Sequence, residues 1–297
     1  MTIILPKYYH AQEALESNNI ICIASQDALR QDIRPLRVGI LNIMPKVQTY
    51  EFNLLHPLGK SILQIEPVWI KLGTHSYSSS SQKHLEELYV TFEKAIYLQK
   101  LDGLIITGAP VEELSFDDVK YWDEIHRILE YARSNIVSTM GICWGGMALA
   151  KMIGIEKTVF EKKLFGVYPT KNIALNHLII GDLDDEFLCP QSRHAGYSDE
   201  VLEKAQEKGK INLLAHSKET GYTIFETTDS RFLAHLGHLE YNSTRILQES
   251  IRDKEKKRKD VEAPINFNQE NPLNNWRSHR FVLFSQWIKF IYDKSSF

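Results

Sequence analysis

Apolar residues along the chain follow two alternating patterns. Residues 37–43, Arg37-Val38-Gly39-Ile40-Leu41-Asn42-Ile43, form a near-continuous apolar run, the pattern of a strand buried on both faces. Residues 62–70 and 101–108 repeat it, the last ending at Thr107-Gly108. Between them the spacing changes to that of helices. One is expected through residues 51–55, one amphipathic helix over 83–98 after the Ser78–Ser81 loop, and one over 117–133 with Val119, Trp122, Ile125, Ile128, Leu129 and Ala132 on one face. This strand-helix-strand order predicts an α/β fold with a doubly wound, mostly parallel sheet. Further on, residues 176–180, 211–215, 222–227 and 232–236 read as short strands of a mixed or antiparallel extension. Residues 242–259 read as a helix ending in a solvated charge run, 263–275 as an Asn- and Pro-rich loop, and 276–292 as a final aromatic helix packed on the core.

The most informative segment joins the two halves. Asn135-Ile136-Val137 leads into Ser138-Thr139-Met140-Gly141-Ile142-Cys143-Trp144-Gly145-Gly146, and the small residues Met147-Ala148-Leu149-Ala150 lead out. Strand, Gly-x-Cys-x-Gly turn and helix make a nucleophile elbow, with cysteine as the nucleophile and a helix N-terminus beside the sulfur. A structural cysteine in a tight turn would leave the same local trace. The partner is downstream. Phe232-Leu233-Ala234-His235-Leu236 is apolar, breaks at Gly237, and presents His238 and Glu240 two residues apart, which in extended chain places both on one face. Cysteine, imidazole and an orienting carboxylate are the parts of an activated thiol nucleophile. His235, inside the apolar run, is expected to be a satisfied core histidine. In a doubly wound sheet, sites collect at the carboxyl ends of strands. Met44-Pro45-Lys46, Thr107-Gly108-Ala109-Pro110 and Cys143 all stand at such ends.

Composition removes other classes. The 297 residues are 43% apolar and 25% charged, as in ordinary globular proteins, and support a single domain over 1–297 with N- and C-terminal extensions. A formal net charge of −3 gives no reason to expect nucleic acid or an anionic membrane as partner. Cys22, Cys143 and Cys189 are too few and scattered for a disulfide framework or a metal knuckle, so neither metal nor prosthetic group is expected. Ile3-Ile4-Leu5 before Pro6 is too short for a signal-peptide core, and no apolar run spans a bilayer, so the cytoplasm is the expected compartment. The sequence does not fix the oligomeric state; a homodimer would be unsurprising.

A longer series of blocks now comes into view. Ile33-Arg34-Pro35-Leu36, Leu41-Asn42-Ile43-Met44-Pro45, residues 102–110 and Tyr121-Trp122 are followed by Ile142-Cys143-Trp144-Gly145 and Phe165-Gly166-Val167. Ser192-Arg193-His194, Gly237-His238-Leu239-Glu240-Tyr241 and Trp276-Arg277-Ser278-His279 complete it. The chain resembles the homoserine O-acyltransferases of the transsuccinylase type, a branch of the class I glutamine amidotransferase-like fold, from about residue 1 to residue 292. The resemblance implies that Cys143 attacks an acyl-CoA thioester and carries the acyl group. His238 would be the general base and Glu240 its partner. Lys163, Ser192, Arg193 and Arg252 fall at positions that resemble the family's amino-acid-binding residues, with Glu249 one turn before Arg252 and able to meet it or an α-ammonium. An oxyanion hole is expected from the Trp144 amide and a second donor that is not Pro110.

The family also ties acyl-donor choice to the position of Glu112, which is small in succinyl users. A carboxylate there would repel a succinyl carboxylate by about 1–4 kcal/mol, favouring acetyl-CoA as co-substrate. Lys46 is a candidate pocket residue, standing next to Val47 where many members are basic. With Met147 and Leu239 it departs from the usual pattern near the acceptor. The expected activity is acetyl transfer to L-homoserine in methionine biosynthesis. The competing readings are acetylation of L-serine, one methylene shorter, for cysteine biosynthesis; a succinyl-CoA-using homoserine enzyme; and, in another reaction class, a glutaminase or γ-glutamyl hydrolase. A degenerate binding protein on the same fold is opposed by the complete Cys143, His238 and Glu240 set.

Overall fold

In the computed structural model, residues 2–295 are described, and one eleven-stranded sheet organises them. The N-terminal segment supplies β1 (Thr2–Leu5), α1 (Gln12–Ser17), β2 (Ile21–Ala24) and the short α2 (Ser25–Ala28). β3 (Leu36–Leu41), α3 (Val47–Leu58), β4 (Gln64–Ile70), α4 (Gln82–Leu88), α5 (Phe92–Leu98), β5 (Gly103–Ile106), α6 (Trp122–Asn135), β6 (Ser138–Ile142) and α7 (Trp144–Met152) follow. The second half contains β7 (Thr158–Asn172), β8 (Glu186–Gly196), α8 (Asp199–Glu207), β9 (Ile211–Ser217), β10 (Gly221–Thr227), β11 (Phe232–His235), α9 (Ser243–Glu255) and α10 (Arg277–Lys294).

Strand order is β2-β1-β4-β3-β5-β6-β11-β10-β9-β7-β8. From β2 through β11 every pairing is parallel; from β11 through β8 every pairing is antiparallel. The doubly wound sheet with its antiparallel extension is thus as expected. Val38, Ile40, Ile105 and Met140 face one core layer with Trp287 and Ile288 of α10; Leu41, Leu104 and Ile106 face the other with Ile125 and Leu129 of α6. Both faces are covered, which is why these strands read as unbroken apolar runs.

Two expected elements differ, and one element is additional. The helix over 83–98 is two helices, because Tyr89 and Val90 extend and Val90 bridges to Ile70 while the Lys71 amide donates to its carbonyl. Thr91 then restarts the helix by accepting from the Lys94 amide. Residues 176–180 form turns rather than a strand: Asn172 takes up the Ile180 and Leu183 carbonyls, and the His177 carbonyl accepts from Gly181. The long β7–β8 hairpin was not foreseen. Its Pro169 and Pro190 and the charged Glu161-Lys162-Lys163 obscure any alternation.

Candidate active site

Parallel β6 sits between β5 and β11, so the loops after these three strands converge. Cys143 follows β6 directly, at φ 52° and ψ −112°, a region that non-glycine residues rarely occupy. Its amide donates to the His235 carbonyl at 2.8 Å, tying the elbow to β11. The sharp turn requires Gly145: a Cβ there would lie 2.3 Å from the Ile106 carbonyl oxygen, and one on Gly141 would lie 2.5 Å from Gly145. With α7 beginning at Trp144, Cys143 stands at the N-terminus of a helix, where free amides and the helix dipole favour negative charge.

His238 is brought against this cysteine by the break at Gly237. A Cβ at 237 would lie 2.5 Å from Cys189 Sγ and 2.8 Å from the Pro190 carbonyl oxygen, so only glycine lets the chain pass so close to β8. The His238 amide then donates to the Pro190 carbonyl at 2.8 Å, and the ring reaches the Cys143 thiol. His238 Nδ1 lies 2.6 Å from Glu240 Oε1. Burial works against an imidazolium here, but Glu240 and Cys143 outweigh it and hold His238 well above the ordinary histidine range. Burial likewise opposes the Glu240 carboxylate, yet His238 and the Tyr50 hydroxyl keep it below its usual value. The Tyr241 ring stacks on the imidazole, 4.1 Å between centroids and tilted by 20°. Cysteine, base and orienting acid therefore stand in the relation that thiol activation needs.

His235 is a core residue, as expected. Its ring nitrogens have no partner of good geometry among the described residues, although the His235 and Gly237 backbone adjoins the ring, and burial pushes its pKa down to about 4.

A second charged cluster adjoins the triad. Glu249 of α9 is buried and accepts from the Ser192 and Tyr241 hydroxyls. Lys163 Nζ lies 3.7 Å from it and 2.7 Å from Asp253, Arg245 Nε 3.5 Å and Arg252 Nη1 3.8 Å from it. Burial alone would raise the Glu249 carboxyl; Lys163, Arg245 and Arg252 pull it down to about 2. Of the expected amino-acid-binding residues, Lys163, Ser192, Glu249 and Arg252 thus come together. Arg193 does not join them. Successive residues of β8 point to opposite faces, so with Ser192 on Glu249, Arg193 turns the other way. Its guanidinium bonds to Gln191 Oε1 at 3.0 Å and to the Ala195 and Thr220 carbonyls at 2.8 and 2.9 Å, and burial lowers its pKa to about 10. It therefore stands apart from the Glu249 cluster, although its charge is still felt at Cys143. Tyr50, Tyr241, Arg245 and Asp253 were not anticipated. Tyr241 and Asp253 adjoin expected residues in sequence, whereas Tyr50 and Arg245 carry no local signal.

The loop after β5 completes the opening. Ile43 donates to Thr107 Oγ1 at 2.8 Å, joining the ends of β3 and β5. A Cβ on Gly108 would meet Cys143 Cβ at 3.5 Å, Met44 Sδ at 3.6 Å and His238 Cε1 at 3.7 Å. The three strand-end motifs therefore meet at one place. Glu112 is turned inward, its side chain 13% exposed, with Oε1 3.4 Å from both the His194 amide and Nδ1. Lys46 is exposed at the start of α3 with φ 54°, its amide donating to Ser79.

Among the described residues, two groups have metal-ligating side chains at suitable spacing: His10, Glu51 and His84, and Glu113, His194 and Asp260. In the first, Glu51 already accepts from Tyr9 and Tyr89 and lies 2.7 Å from His84 Nε2. In the second, Arg258 pairs with Glu113 and Asp260.

A cysteine on a strained elbow, a histidine and a carboxylate thus stand side by side at the carboxyl edge of this parallel sheet, on a glutamine amidotransferase-like fold. Solved structures agree on the fold. A glutamine amidotransferase from Thermotoga maritima matches with a TM-score of 0.52 at 14% identity, over 88% of this chain and 100% of that one. One from Methylobacillus flagellatus matches at 0.54 and 13%, over 87% and 96%. The chain belongs to the homoserine O-succinyltransferase family, whose family model matches residues 2–297. Similar relatives are homoserine O-acetyltransferase 1 of Ilyobacter polytropus, 40% identical over 100% of this chain and 99% of that protein, and homoserine O-acetyltransferase of Bacillus subtilis, 36% identical over 100% and 99%. The family is one of acyltransferases, which sets aside the glutaminase reading. No helix of the described residues is long and apolar enough to cross a membrane.

Proposed function

We propose that this protein transfers the acetyl group of acetyl-CoA to the hydroxyl of L-homoserine by a ping-pong mechanism, in the cytoplasm, as a step of methionine biosynthesis. His238 takes the Cys143 proton, and the thiolate attacks the thioester carbonyl. Coenzyme A leaves with that proton, and the acetyl group remains as a thioester on Cys143. Homoserine then binds with its ammonium toward Glu249 and its carboxylate toward Arg252, Lys163 and Ser192 completing the cradle. His238 accepts the hydroxyl proton as the oxygen attacks, and O-acetylhomoserine departs. The Trp144 amide and the backbone of the Gly108-Ala109 turn would receive the oxyanion.

One observation carries this reading: the buried Cys-His-Glu set adjoins a cluster of side chains bearing charges of both signs, the complement of a zwitterionic amino acid. The names of the relatives support homoserine and acetyl. A carboxylate at position 112, which the family ties to donor choice, supports acetyl over succinyl.

The test is coenzyme A release from acetyl-CoA and from succinyl-CoA, each with L-homoserine, L-serine or L-glutamine. Release with acetyl-CoA and homoserine is expected, and Cys143→Ala should abolish it. A serine preference would overturn the acceptor, a succinyl preference the donor, and retained turnover in Cys143→Ala the covalent mechanism.

A further inference from the structure

Glu240 receives two donors on one oxygen. His238 Nδ1 lies 2.6 Å from Oε1, and the hydroxyl of Tyr50, 190 residues away in sequence, donates to that same atom. Tyr50 is wholly buried in the first turn of α3 and stands edge-on to Tyr241, the ring that stacks on His238. From α9, the Arg245 guanidinium lies over both tyrosine rings, 5.9 Å from the Tyr50 centroid and 5.5 Å from that of Tyr241. A carboxylate only accepts, so Tyr50 can only donate to it. Burial and the neighbouring Glu240 charge both favour keeping the phenolic proton, holding Tyr50 well above the ordinary tyrosine range.

We propose that Tyr50 is a positioning residue of the triad: its hydrogen bond fixes the Glu240 carboxylate and draws charge from the oxygen that faces His238, and so sets how basic His238 is when it deprotonates the acceptor. This rests on the reading of His238 as the base for Cys143 and for the homoserine hydroxyl. The groups around the pair come from several elements. Cys143 from the elbow, His235 from β11, Tyr241, and Glu249 from α9 face His238. Cys189 from β8, Arg280 from α10, His235 and Tyr50 face Glu240. Among the described residues, Tyr50 is the one besides His238 whose hydrogen bond to the Glu240 carboxylate is seen.

The test is Tyr50→Phe in the full chain, read as kcat/KM for homoserine against pH. In the acyl-enzyme Cys143 carries no titratable proton, so the acid limb of that profile belongs to His238. Without the Tyr50 hydroxyl, Glu240 bears more charge toward the imidazole and His238 becomes more basic. The limb should move to higher pH by about half to one unit, the equivalent of one hydrogen bond. Rates below the limb should fall roughly three- to tenfold, with a much smaller loss above it. Tyr89→Phe is the matched control. It deletes the same kind of buried tyrosine–carboxylate bond, to Glu51 at 2.8 Å, and should lower stability without moving the limb. Replacing Tyr50 by 3-fluorotyrosine, a stronger donor of nearly equal size, should move the limb the opposite way. A limb that stays at the wild-type pH in Tyr50→Phe and in the fluorinated protein, or that moves equally in Tyr89→Phe, would overturn the proposal. Loss of activity in Cys143→Ala with an unmoved limb in Tyr50→Phe would defeat this inference alone; retained activity in Cys143→Ala would defeat the reading beneath it.

Discussion

Gly108→Ala should separate stability from activity. The added methyl would stand 3.5 Å from Cys143 Cβ, 3.6 Å from Met44 Sδ and 3.7 Å from His238 Cε1, all ordinary van der Waals contacts. Nothing in the fold needs to shift to admit it. Removing a glycine from the unfolded chain typically stabilises by about 0.4–1 kcal/mol where the conformation is compatible, so the melting temperature should hold or rise slightly. The same methyl occupies the space between nucleophile and base where a thioester carbonyl must sit. Displacing a reacting group by about 1 Å costs on the order of a hundredfold, and loss of an oxyanion donor about 10²–10³. Coenzyme A release should therefore fall at least a hundredfold while the protein unfolds no earlier. The neighbouring Gly145→Ala is the contrast: its Cβ would be 2.3 Å from the Ile106 carbonyl oxygen, and the variant should fail to fold. If Gly108→Ala kept activity within a few-fold, the acyl group could not lie on that side of Cys143.

Three other perturbations follow from the same geometry. Glu112→Gly should raise the succinyl-CoA to acetyl-CoA rate ratio by roughly fivefold or more, the equivalent of removing about 1–4 kcal/mol of repulsion; an unchanged ratio would place the acyl chain elsewhere. Glu249 is held at about 2 in the folded state against an ordinary 4.5, so its contribution is complete above about pH 4.5 and is lost as pH falls toward 2. Glu249→Gln should thus flatten acid unfolding over that window and raise the homoserine KM at pH 7; an unaltered acid limb of stability would refute the ion cluster. His235→Leu should remove two buried nitrogens that have no well-formed partner and stabilise the fold by about 1 kcal/mol in a denaturant titration; a clear loss of stability would mean that the adjoining His235 and Gly237 backbone bonds the ring.

The parts of the molecule legible in sequence are those with local causes. β3, β5 and β6 are buried on both faces and read as apolar runs, and the elbow is written in seven consecutive residues from Met140 to Gly146. His238 and Glu240 lie two apart after a glycine whose close approach to β8 demands it. Elements decided by distant partners were less legible. Nothing within residues 83–98 reveals that Val90 will extend to bridge Ile70, and the β7–β8 hairpin depends on mutual pairing more than on either strand's pattern. That Ser192 and Arg193 diverge is also legible, because adjacent residues of a strand point to opposite faces. Tyr50 reaches Glu240 through a tertiary contact 190 residues long in sequence, which no local spacing encodes.

The central claim is that Cys143 carries the acyl group between two substrates. Intact-mass measurement of the protein mixed with acetyl-CoA alone, followed by peptide mapping, tests it most directly. The expected result is one acetyl group per chain, on Cys143, accompanied by stoichiometric coenzyme A and discharged as O-acetylhomoserine when L-homoserine is added. Turnover in the complete mixture with no adduct and no coenzyme A released before homoserine arrives would mean direct transfer, and the covalent mechanism would be wrong.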